Sequence, residues 1–318
     1  MTEIDPNEGV LDPYVAEWLA ANPMYNSPME EIVPELLELA RSPFGAPPTR
    51  EIAEVRDEVI EQGPEGSRLS VPVRVYRNDS EPTAVLLYFH GGGFILGSIG
   101  LMDNVARELC HHTGAIVVSV EYRLAPEHPY PAGLDDCVAA TRWAHEHAAE
   151  LGAGSEVAAK PVFVSGESAG GNLSGAVALR LRDSDVPLAG QILIYPATNG
   201  SSHESASFYE FDGLVVSRKA GQMYWAAYSG GRDLDADPYA RLLSADVTGL
   251  PPALVVLAGC DVLRDDGRAY ANLLREGEVE VEEVCYAGQP HGFVNFDLPA
   301  AGDAHAAIGT WLRDHVAR

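Results

Sequence analysis

A serine between glycines carries the clearest chemical signature in this chain. Ser168 lies in the run Gly166-Glu167-Ser168-Ala169-Gly170, which has the pattern Gly-x-Ser-x-Gly. An apolar, β-branched stretch precedes this run, and a stretch of small helix-forming residues follows it. A strand, a tight turn and a helix in this order form a nucleophile elbow, in which the serine hydroxyl attacks a carbonyl carbon. A flexible Gly/Ser loop would show the same short pattern, so other residues must decide between the two.

Three successive glycines follow another apolar run, in the segment His90-Gly91-Gly92-Gly93-Phe94. Without Cβ atoms, their backbone N–H groups can face a cavity. We predict that Gly91 and Gly92, together with Ala169, donate hydrogen bonds to a developing oxyanion. A phosphate-binding loop is the alternative, but neither the Gly-x-Gly-x-x-Gly pattern nor the P-loop pattern is present. We expect His90 to fix the loop by hydrogen bonds rather than to react.

An attacking serine needs a general base, and in this architecture the acid and the histidine follow the serine in the chain. Of ten histidines, six precede Ser168 and are disfavoured by this order. His203 lies in an irregular segment, and His305 and His315 lie in the last predicted helix. His291 follows the last strand-like run in a loop rich in proline and glycine, so it is the predicted base.

Asp261 is the predicted acid that orients this histidine, because it follows the strand-like run at 253–258 directly. Asp265 and Asp266 come a turn later, where the positive end of a helix dipole favours acidic side chains. Glu167, although adjacent to the serine, is predicted to have a structural role. The resulting Ser-Asp-His chemistry requires no metal and no cofactor.

The elements around these residues predict an α/β fold. Strand-like runs alternate with helical stretches along most of the chain, which indicates a mostly parallel central sheet flanked by helices. Catalytic groups in such sheets lie beyond the carboxyl ends of the strands. The predicted strands are 51–60, 70–76, 84–89, 115–120, 162–165, 191–195, 253–258 and 279–286, and the main predicted helices are 134–151, 217–228, 266–274 and 304–316.

Two further segments are predicted to cover the catalytic domain, residues 49–318. Residues 1–48 show helical apolar spacing over 11–21 and 29–37, which favours an N-terminal helical cap. An insertion at about 199–230 interrupts the alternation and is predicted to supply the second cap piece, with Ser217 capping a helix. We expect five aromatic residues of the cap pieces and the glycine loop to close an apolar substrate pocket: Trp18, Phe94, Phe208, Tyr209 and Phe211.

The composition excludes several classes of partner. The net charge of −26 repels nucleic acid and anionic lipid. The sequence contains no apolar run of the ~18–20 residues that span a bilayer. The acidic first residues lack the features of a signal peptide, and we expect a cytoplasmic protein. The charge itself has two open explanations, which are adaptation to high salt and an arginine-favouring genome with an acidic proteome.

The four cysteines, Cys110, Cys137, Cys260 and Cys285, show no Cys-x-x-Cys spacing, which argues against a zinc site or a thioredoxin-like motif. In a cytoplasmic chain they are expected to be reduced and mostly buried.

The chain resembles the bacterial hormone-sensitive-lipase family of α/β-hydrolase esterases. The resemblance implies a carboxylic ester hydrolase for short-to-medium acyl esters, with a two-part cap. Two positions depart mildly from the family pattern, since Glu167 replaces the more frequent aspartate and Asn199 stands where aspartate is usual. The matching segments are His90-Gly-Gly-Gly-Phe94, Tyr122-Arg-Leu-Ala-Pro-Glu-His-Pro-Tyr-Pro-Ala132, Gly166-Glu-Ser-Ala-Gly-Gly-Asn-Leu173, Asp261-Val-Leu-Arg-Asp265 and His291-Gly-Phe293.

The sequence leaves two alternatives to an ester hydrolase open. An amidase or peptidase would use the same three residues through a shared acyl-enzyme. A non-catalytic small-molecule receptor on the same fold would be expected to have lost one of the three, and here all are present. The expected partner is a small-molecule ester, and a homodimer is compatible with the sequence.

Overall fold

The computed structural model of the chain describes residues 7–42, 45–61, 69–151, 161–201 and 204–316. Its strands are β1 (Glu54–Glu61), β2 (Ser70–Arg77), β3 (Val85–Phe89), β4 (Ile116–Val120), β5 (Val162–Glu167), β6 (Leu188–Ile194), β7 (Ala253–Cys260) and β8 (Val281–Pro290). They form one sheet in the order β1-β2-β4-β3-β5-β6-β7-β8. All neighbours from β4 to β8 pair in parallel, whereas β2 runs antiparallel to both β1 and β4.

Helices cover both faces of this sheet. They are α1 (Pro13–Ala21), α2 (Pro34–Ala40), α3 (Asp103–Thr113), α4 (Ala132–Glu146), α5 (Ala148–Leu151), α6 (Ala169–Leu181), α7 (Ala206–Glu210), α8 (Arg218–Ser229), α9 (Arg264–Glu276) and α10 (Pro299–Val316). Apolar side chains of α4, α6 and α9 pack in one core cluster, and those of α1, α3 and α10 pack in a second. Along β3, Leu87 joins the first cluster and Tyr88 the second, because successive side chains point to opposite faces.

The predicted α/β fold with a mostly parallel sheet is therefore confirmed. The N-cap prediction also holds, since the Ser217 hydroxyl accepts a hydrogen bond from the Ala220 N–H at the start of α8. Helix α3 is not among the predicted helices. Its buried residues Val105, Ala106 and Leu109 do recur at helical spacing, so the signal was present in the sequence.

The two predicted cap pieces contact each other in the structure. The N-terminal piece contains α1 and α2, and the insertion contains α7 and α8. The Val215 N–H donates to the Asn26 side chain at 2.8 Å, and Lys219 Nζ lies 3.4 Å from Glu30 Oε2. Residues 1–6, 43–44 and 202–203 of the predicted pieces lie outside the described residues. The division into cap and catalytic domain stays a prediction.

The four cysteines are all free thiols, and three of them, Cys110, Cys137 and Cys260, are buried. Burial raises the pKa of Cys110 and of Cys285 to about 12, that of Cys260 to about 11, and that of Cys137 well above its ordinary value. The thiols are therefore protonated at neutral pH. Among the described helices, none has the length and apolar character needed to cross a bilayer.

A buried histidine between α3 and α10 makes the stability of the fold dependent on pH. His305 is 3% exposed and faces Glu108, His112 and Arg50. Burial lowers its pKa from 6.5 to about 4. The folded state thus keeps His305 neutral while the unfolded chain takes up a proton below pH 6.5. The contribution of His305 to the free energy of unfolding is complete above pH 6.5 and decreases as the pH falls toward 4.

We therefore expect His305 to contribute about 2 kcal/mol to the loss of unfolding free energy between pH 7.5 and pH 5. Urea unfolding of the wild type and of His305→Gln at the two pH values measures the difference. The variant should lose about 2 kcal/mol less than the wild type over this interval, whatever its stability at pH 7.5. Equal losses for the two proteins would contradict a neutral, buried His305.

Candidate active site

Ser168 lies in a sharp turn between β5 and α6. Its backbone has φ 58° and ψ −116°, a strained conformation for a residue with a side chain. The Ser168 N–H donates to the Ile194 carbonyl at 2.9 Å, which anchors the turn to β6. A Cβ added at Gly166 would lie 2.4 Å from the Phe89 carbonyl oxygen, and one added at Gly170 would lie 1.8 Å from it. The two glycines are thus required for the backbone of the elbow to pack against the end of β3.

His291 connects Ser168 with Asp261. Its Nε2 atom lies 2.9 Å from Ser168 Oγ, and its Nδ1 atom lies 2.8 Å from Asp261 Oδ2. When Nδ1–H donates to the carboxylate, Nε2 is left to accept the serine proton. Asp261 is fully buried, and its Oδ1 atom accepts the Leu263 N–H at 2.9 Å, which fixes the carboxylate. The three side chains follow β5, β7 and β8, so the parallel sheet brings them together at one edge.

The two neighbouring aspartates have other partners. Asp265 accepts the Ser207 N–H at 2.9 Å and forms an ion pair with Arg264. Asp266 accepts a hydrogen bond from the Asn199 side chain at 3.2 Å, and burial raises its pKa to about 6. Both lie in the first turn of α9, as the sequence predicts for helix N-terminal charges.

One hydrogen bond of the glycine loop bears on the predicted oxyanion donors. The Gly91 N–H donates to Glu167 Oε1 at 2.7 Å, so it is already used. Gly92 and Gly93, with φ of 113° and 60°, line the cavity next to Ser168. Ala169 is the first residue of α6, where a helix leaves its N–H groups without intrahelical partners. Gly91 therefore anchors the loop, and the identity of the oxyanion donors stays a prediction, for which Gly92, Gly93 and Ala169 are the candidates.

His90 fixes the same glycine loop by hydrogen bonds, as expected from the sequence. Its Nδ1 atom lies 2.8 Å from the Gly91 carbonyl oxygen, and its ring stacks on Tyr122 with centroids 4.3 Å apart. The Tyr122 hydroxyl donates to the His90 carbonyl at 2.7 Å. Burial lowers the pKa of His90, which keeps the ring neutral. These contacts fix the loop and leave His90 fully buried.

The Glu167 side chain contacts the glycine loop, as a structural role predicts, and its carboxyl has a raised pKa. Its side chain is buried at the cavity wall, where it holds the Gly91 N–H. Burial raises its pKa to about 7, against the lowering effects of the Gly91 N–H and of the neighbouring Tyr88 and His291. Tyr122 and Tyr195 also face this carboxyl, and their own pKa values lie well above the ordinary value. Glu167 therefore changes charge near neutral pH while it holds the glycine loop.

We expect Glu167→Gln to lower kcat by about tenfold at pH 8, because a neutral amide replaces a charge-assisted acceptor. At pH 6 most of the wild-type Glu167 is neutral as well, so the ratio of wild-type to variant kcat should decrease from about ten at pH 8 to about two at pH 6. The matched control is Glu127→Gln, which changes an exposed carboxylate paired with Arg41 and should keep the wild-type kcat at both pH values. A ratio of wild-type to Glu167→Gln kcat that is the same at the two pH values would contradict this role.

A cavity of about 400 Å³ opens at Ser168 and His291. Its lining is mostly apolar and includes two of the five predicted aromatic residues, Phe94 and Phe208. Other lining residues lie in the described parts of both cap pieces and in the loop after β8, and they could not be predicted because spacing does not show which side chains face the cavity. These are Tyr25, Val216, Tyr224, Trp225 and Phe296.

The other three aromatic residues lie outside this lining, and the pocket prediction is corrected for them. Trp18 stacks on Phe296 with ring centroids 5.0 Å apart, so it supports the wall from behind. Tyr209 is 57% exposed, with the Arg218 guanidinium over its ring. Phe211 packs in a separate small cluster with Cys260 and Val262. Helical spacing in the sequence does not show which face of a short helix meets the cavity.

Comparison with known proteins identifies the family of this chain. A family model described as the alpha/beta hydrolase fold matches residues 86–295. Carboxylesterase NlhH of Mycobacterium tuberculosis is 43% identical over 245 residues, which cover 74% of this chain and 75% of that protein. Esterase LipI of the same organism is 38% identical over 76% of this chain and 75% of its own length. The solved structure of a hyperthermophilic esterase from the archaeon Pyrobaculum calidifontis superposes with a TM-score of 0.83 at 33% identity, covering 96% of this chain and 98% of that one.

The fold and these relatives define a carboxylic ester hydrolase of the α/β-hydrolase fold. Within that class, the chain belongs to the bacterial hormone-sensitive-lipase family of carboxylesterases, as its motifs predicted.

Proposed function

We propose that the protein is a serine carboxylesterase that hydrolyses short-to-medium-chain acyl esters with Ser168, His291 and Asp261. The observation that carries the proposal is the position of His291, whose two ring nitrogens lie 2.9 Å from Ser168 Oγ and 2.8 Å from Asp261 Oδ2. A histidine held between a serine and a buried carboxylate is the arrangement of a Ser-His-Asp triad.

Acylation begins when an ester binds with its carbonyl carbon next to Ser168 Oγ. His291 Nε2 removes the hydroxyl proton as Oγ attacks this carbon, and the carbonyl oxygen becomes negative. The N–H groups of Gly92, Gly93 and Ala169 stabilise that charge. The tetrahedral intermediate then collapses, the bond to the alcohol oxygen breaks, and His291 gives its proton to the leaving alcohol. Asp261 stabilises the imidazolium throughout.

Deacylation repeats these steps with water. His291 removes a proton from a water molecule, whose oxygen attacks the acyl carbon and forms a second oxyanion in the same site. When this intermediate collapses, the bond from the acyl carbon to Oγ breaks and Ser168 recovers its proton from His291. The free acid leaves and the enzyme returns to its starting state, with no net change in any side chain.

The cavity supports the proposed substrate class. A volume of about 400 Å³ lies at the lower end of the range for small-molecule sites, and its lining is mostly apolar. Such a cavity accommodates an uncharged acyl chain of limited length. We further propose that residues 1–48 and 199–230 act as a cap over this cavity, which is supported by their mutual contacts and by Tyr25, Phe208 and Tyr224 in the lining.

The decisive experiment measures kcat/KM for p-nitrophenyl acetate, butyrate, hexanoate and octanoate beside the matching p-nitroanilides. Hydrolysis of the esters with little turnover of the anilides supports the proposal. Anilides cleaved as fast as the esters would instead show an amidase that uses the same triad. Binding of the esters without turnover would show a receptor. We also propose a cytoplasmic location, which the free thiols support because reducing compartments preserve them.

A further inference from the structure

Three consecutive residues of the glycine loop have positive φ. Gly92, Gly93 and Phe94 have φ of 113°, 60° and 65°. The Gly92 carbonyl accepts the Leu96 N–H at 2.8 Å, so the chain forms a tight turn around these residues. A left-handed conformation is uncommon for a residue with a bulky side chain such as Phe94, and it persists where contacts from neighbouring elements hold it. The turn therefore needs support from outside the loop.

Helix α8 of the cap insertion supplies this support with two tyrosine rings. The Phe94 ring stacks on the Tyr228 ring, with centroids 3.8 Å apart and an angle of 12° between the planes. A Cβ added at Gly93 would lie 2.4 Å from Tyr224 Cδ2, so this ring lies directly on the backbone of the loop. Tyr224 and Tyr228 are four residues apart and therefore lie on the same face of the helix.

Tyr228 is itself fixed by the segment that precedes α4. Its carbonyl accepts the Tyr130 N–H at 2.8 Å, and the two rings form an edge-to-face pair with centroids 5.6 Å apart. The Tyr130 hydroxyl donates to Asp237 Oδ2 at 2.8 Å. The same segment also contacts the loop directly, since the Ala125 N–H donates to the Phe94 carbonyl at 3.0 Å. These contacts hold the Tyr228 ring against Phe94.

Tyr228 acts on the site from behind its wall. Within the described part of the chain, the lining of the active-site cavity includes Phe94, Tyr224 and Trp225 but not Tyr228. The Tyr228 side chain is 3% exposed, and its hydroxyl forms no hydrogen bond with the described residues. Its contact with the loop is thus made by the ring. A change at Tyr228 reaches the reaction through the residues that this ring supports.

We propose that α8 positions the oxyanion site, with Tyr224 and Tyr228 as its positioning residues. The two rings keep Gly93 and Phe94 in the left-handed conformation, which holds the N–H groups of the loop at the place where the oxyanion forms. This inference rests on the proposed function, in which Gly92 and Gly93 are candidate donors. An oxyanion donor acts mainly in the transition state, so a misplaced donor slows the reaction more than it weakens ester binding.

The first test compares the wild type with Tyr228→Leu on p-nitrophenyl butyrate and on its thionoester, in which sulfur replaces the carbonyl oxygen. Sulfur is a weak acceptor, so the thionoester gains little from the donors. We expect kcat/KM for the butyrate to fall by about tenfold with KM within about twofold, while kcat/KM for the thionoester falls by no more than about threefold. A purely structural role of Tyr228 would lower the values for both esters equally.

Two further variants are the controls for this comparison. Tyr228→Phe keeps the ring and removes the hydroxyl, so kcat/KM for both esters should return to within about twofold of the wild type. Tyr270→Leu removes another fully buried tyrosine ring, on α9. It should lower the melting temperature but keep the wild-type ratio of the two kcat/KM values.

A double-mutant cycle tests the contact between Gly93 and Tyr224 independently. Gly93→Ala places a methyl group 2.4 Å from Tyr224 Cδ2, so the loop or the ring must move. This change should lower kcat/KM for the butyrate by about thirtyfold in the wild type, and by no more than about fivefold in Tyr224→Ala, where the ring is absent. If Tyr228→Leu is unfolded, or if the thionoester is cleaved too slowly to measure, this cycle decides.

Several results would overturn the inference. They are equal losses on the two esters in Tyr228→Leu, an unchanged butyrate value in the folded variant, and a Gly93→Ala loss that is the same with and without Tyr224. A Tyr228→Phe protein as impaired as Tyr228→Leu would assign the effect to the hydroxyl and overturn the role of the ring. Each of these outcomes leaves the proposed function standing. A wild type that hydrolyses no ester overturns the proposed function and this inference with it.

Discussion

Replacement of Ser168 by alanine is expected to lower kcat by about 10⁴-fold or more, to the residual rate that cavity binding and the oxyanion donors supply. The reason is that alanine has no nucleophilic oxygen at the position 2.9 Å from His291 Nε2. His291→Ala should cause a loss of similar size, because the hydroxyl then has no base. Steady-state hydrolysis of p-nitrophenyl butyrate measures both effects, and the KM values should change much less than kcat.

A neighbouring serine provides the control for this experiment. Ser174 lies in α6 six residues after Ser168, and its hydroxyl donates to the Gly170 carbonyl at 2.9 Å. Ser174→Ala removes a hydroxyl from the same helix and should keep kcat within about tenfold of the wild type. The elbow itself should remain folded in Ser168→Ala, as its melting temperature would show. A folded Ser168→Ala protein with near-normal turnover would contradict the proposed nucleophile.

Asp261→Asn is expected to lower kcat by about 10⁴-fold while the fold is retained. An asparagine side chain can donate its amide N–H to His291 Nδ1. The histidine then carries its proton on Nε2, which is the tautomer that cannot accept from Ser168. The lost charge also removes the stabilisation of the imidazolium in the transition state. Asparagine has nearly the same shape as aspartate and fits the same fully buried position. A loss of activity in the variant therefore reflects the changed chemistry and not a changed shape.

The comparison that identifies the acid is Asp265→Asn. Asp265 lies four residues away and forms its contacts with Ser207 and Arg264, so its loss should reduce kcat by no more than about tenfold. The pH dependence gives an independent readout, because the activity of Asp261→Asn should rise with pH as hydroxide ion replaces the histidine as the base that takes the Ser168 proton. If Asp265→Asn were the more damaging change, Asp261 would be the wrong acid.

The proximity of the three proposed triad side chains could be predicted from the sequence because topology determines where they lie. Ser168, Asp261 and His291 each follow a strand of a parallel sheet, and the carboxyl ends of such strands meet at one edge. Chain order then excludes six of the ten histidines as the base, because they precede Ser168, and no interatomic distance is needed for this step. Local sequence patterns are therefore sufficient to predict groups that follow directly on a strand, because the sheet backbone determines their positions.

The hydrogen bond of the Gly91 N–H could not be predicted because its acceptor is a side chain far away in sequence. Gly91 and Glu167 are 76 residues apart, and only the folded chain shows that the carboxylate takes the Gly91 N–H. The pocket aromatics show the same limit. Phe208 and Tyr209 are adjacent in α7, yet one lines the cavity and the other faces water, because a short helix gives too little periodicity to assign a face.

The alkylation rates of the buried thiols report how often the folded chain opens locally. A reagent such as iodoacetamide reacts with thiolate, and the pKa values of Cys110 and Cys260, at about 12 and 11, leave almost none of it in the folded protein at pH 8. Alkylation of these thiols therefore requires the surrounding structure to open first. Cys110 lies in α3 beneath β2 and β4, and Cys137 lies in α4 on the opposite face of the sheet. Site-resolved labelling rates would thus measure, without any engineered probe, whether the two layers open separately or together.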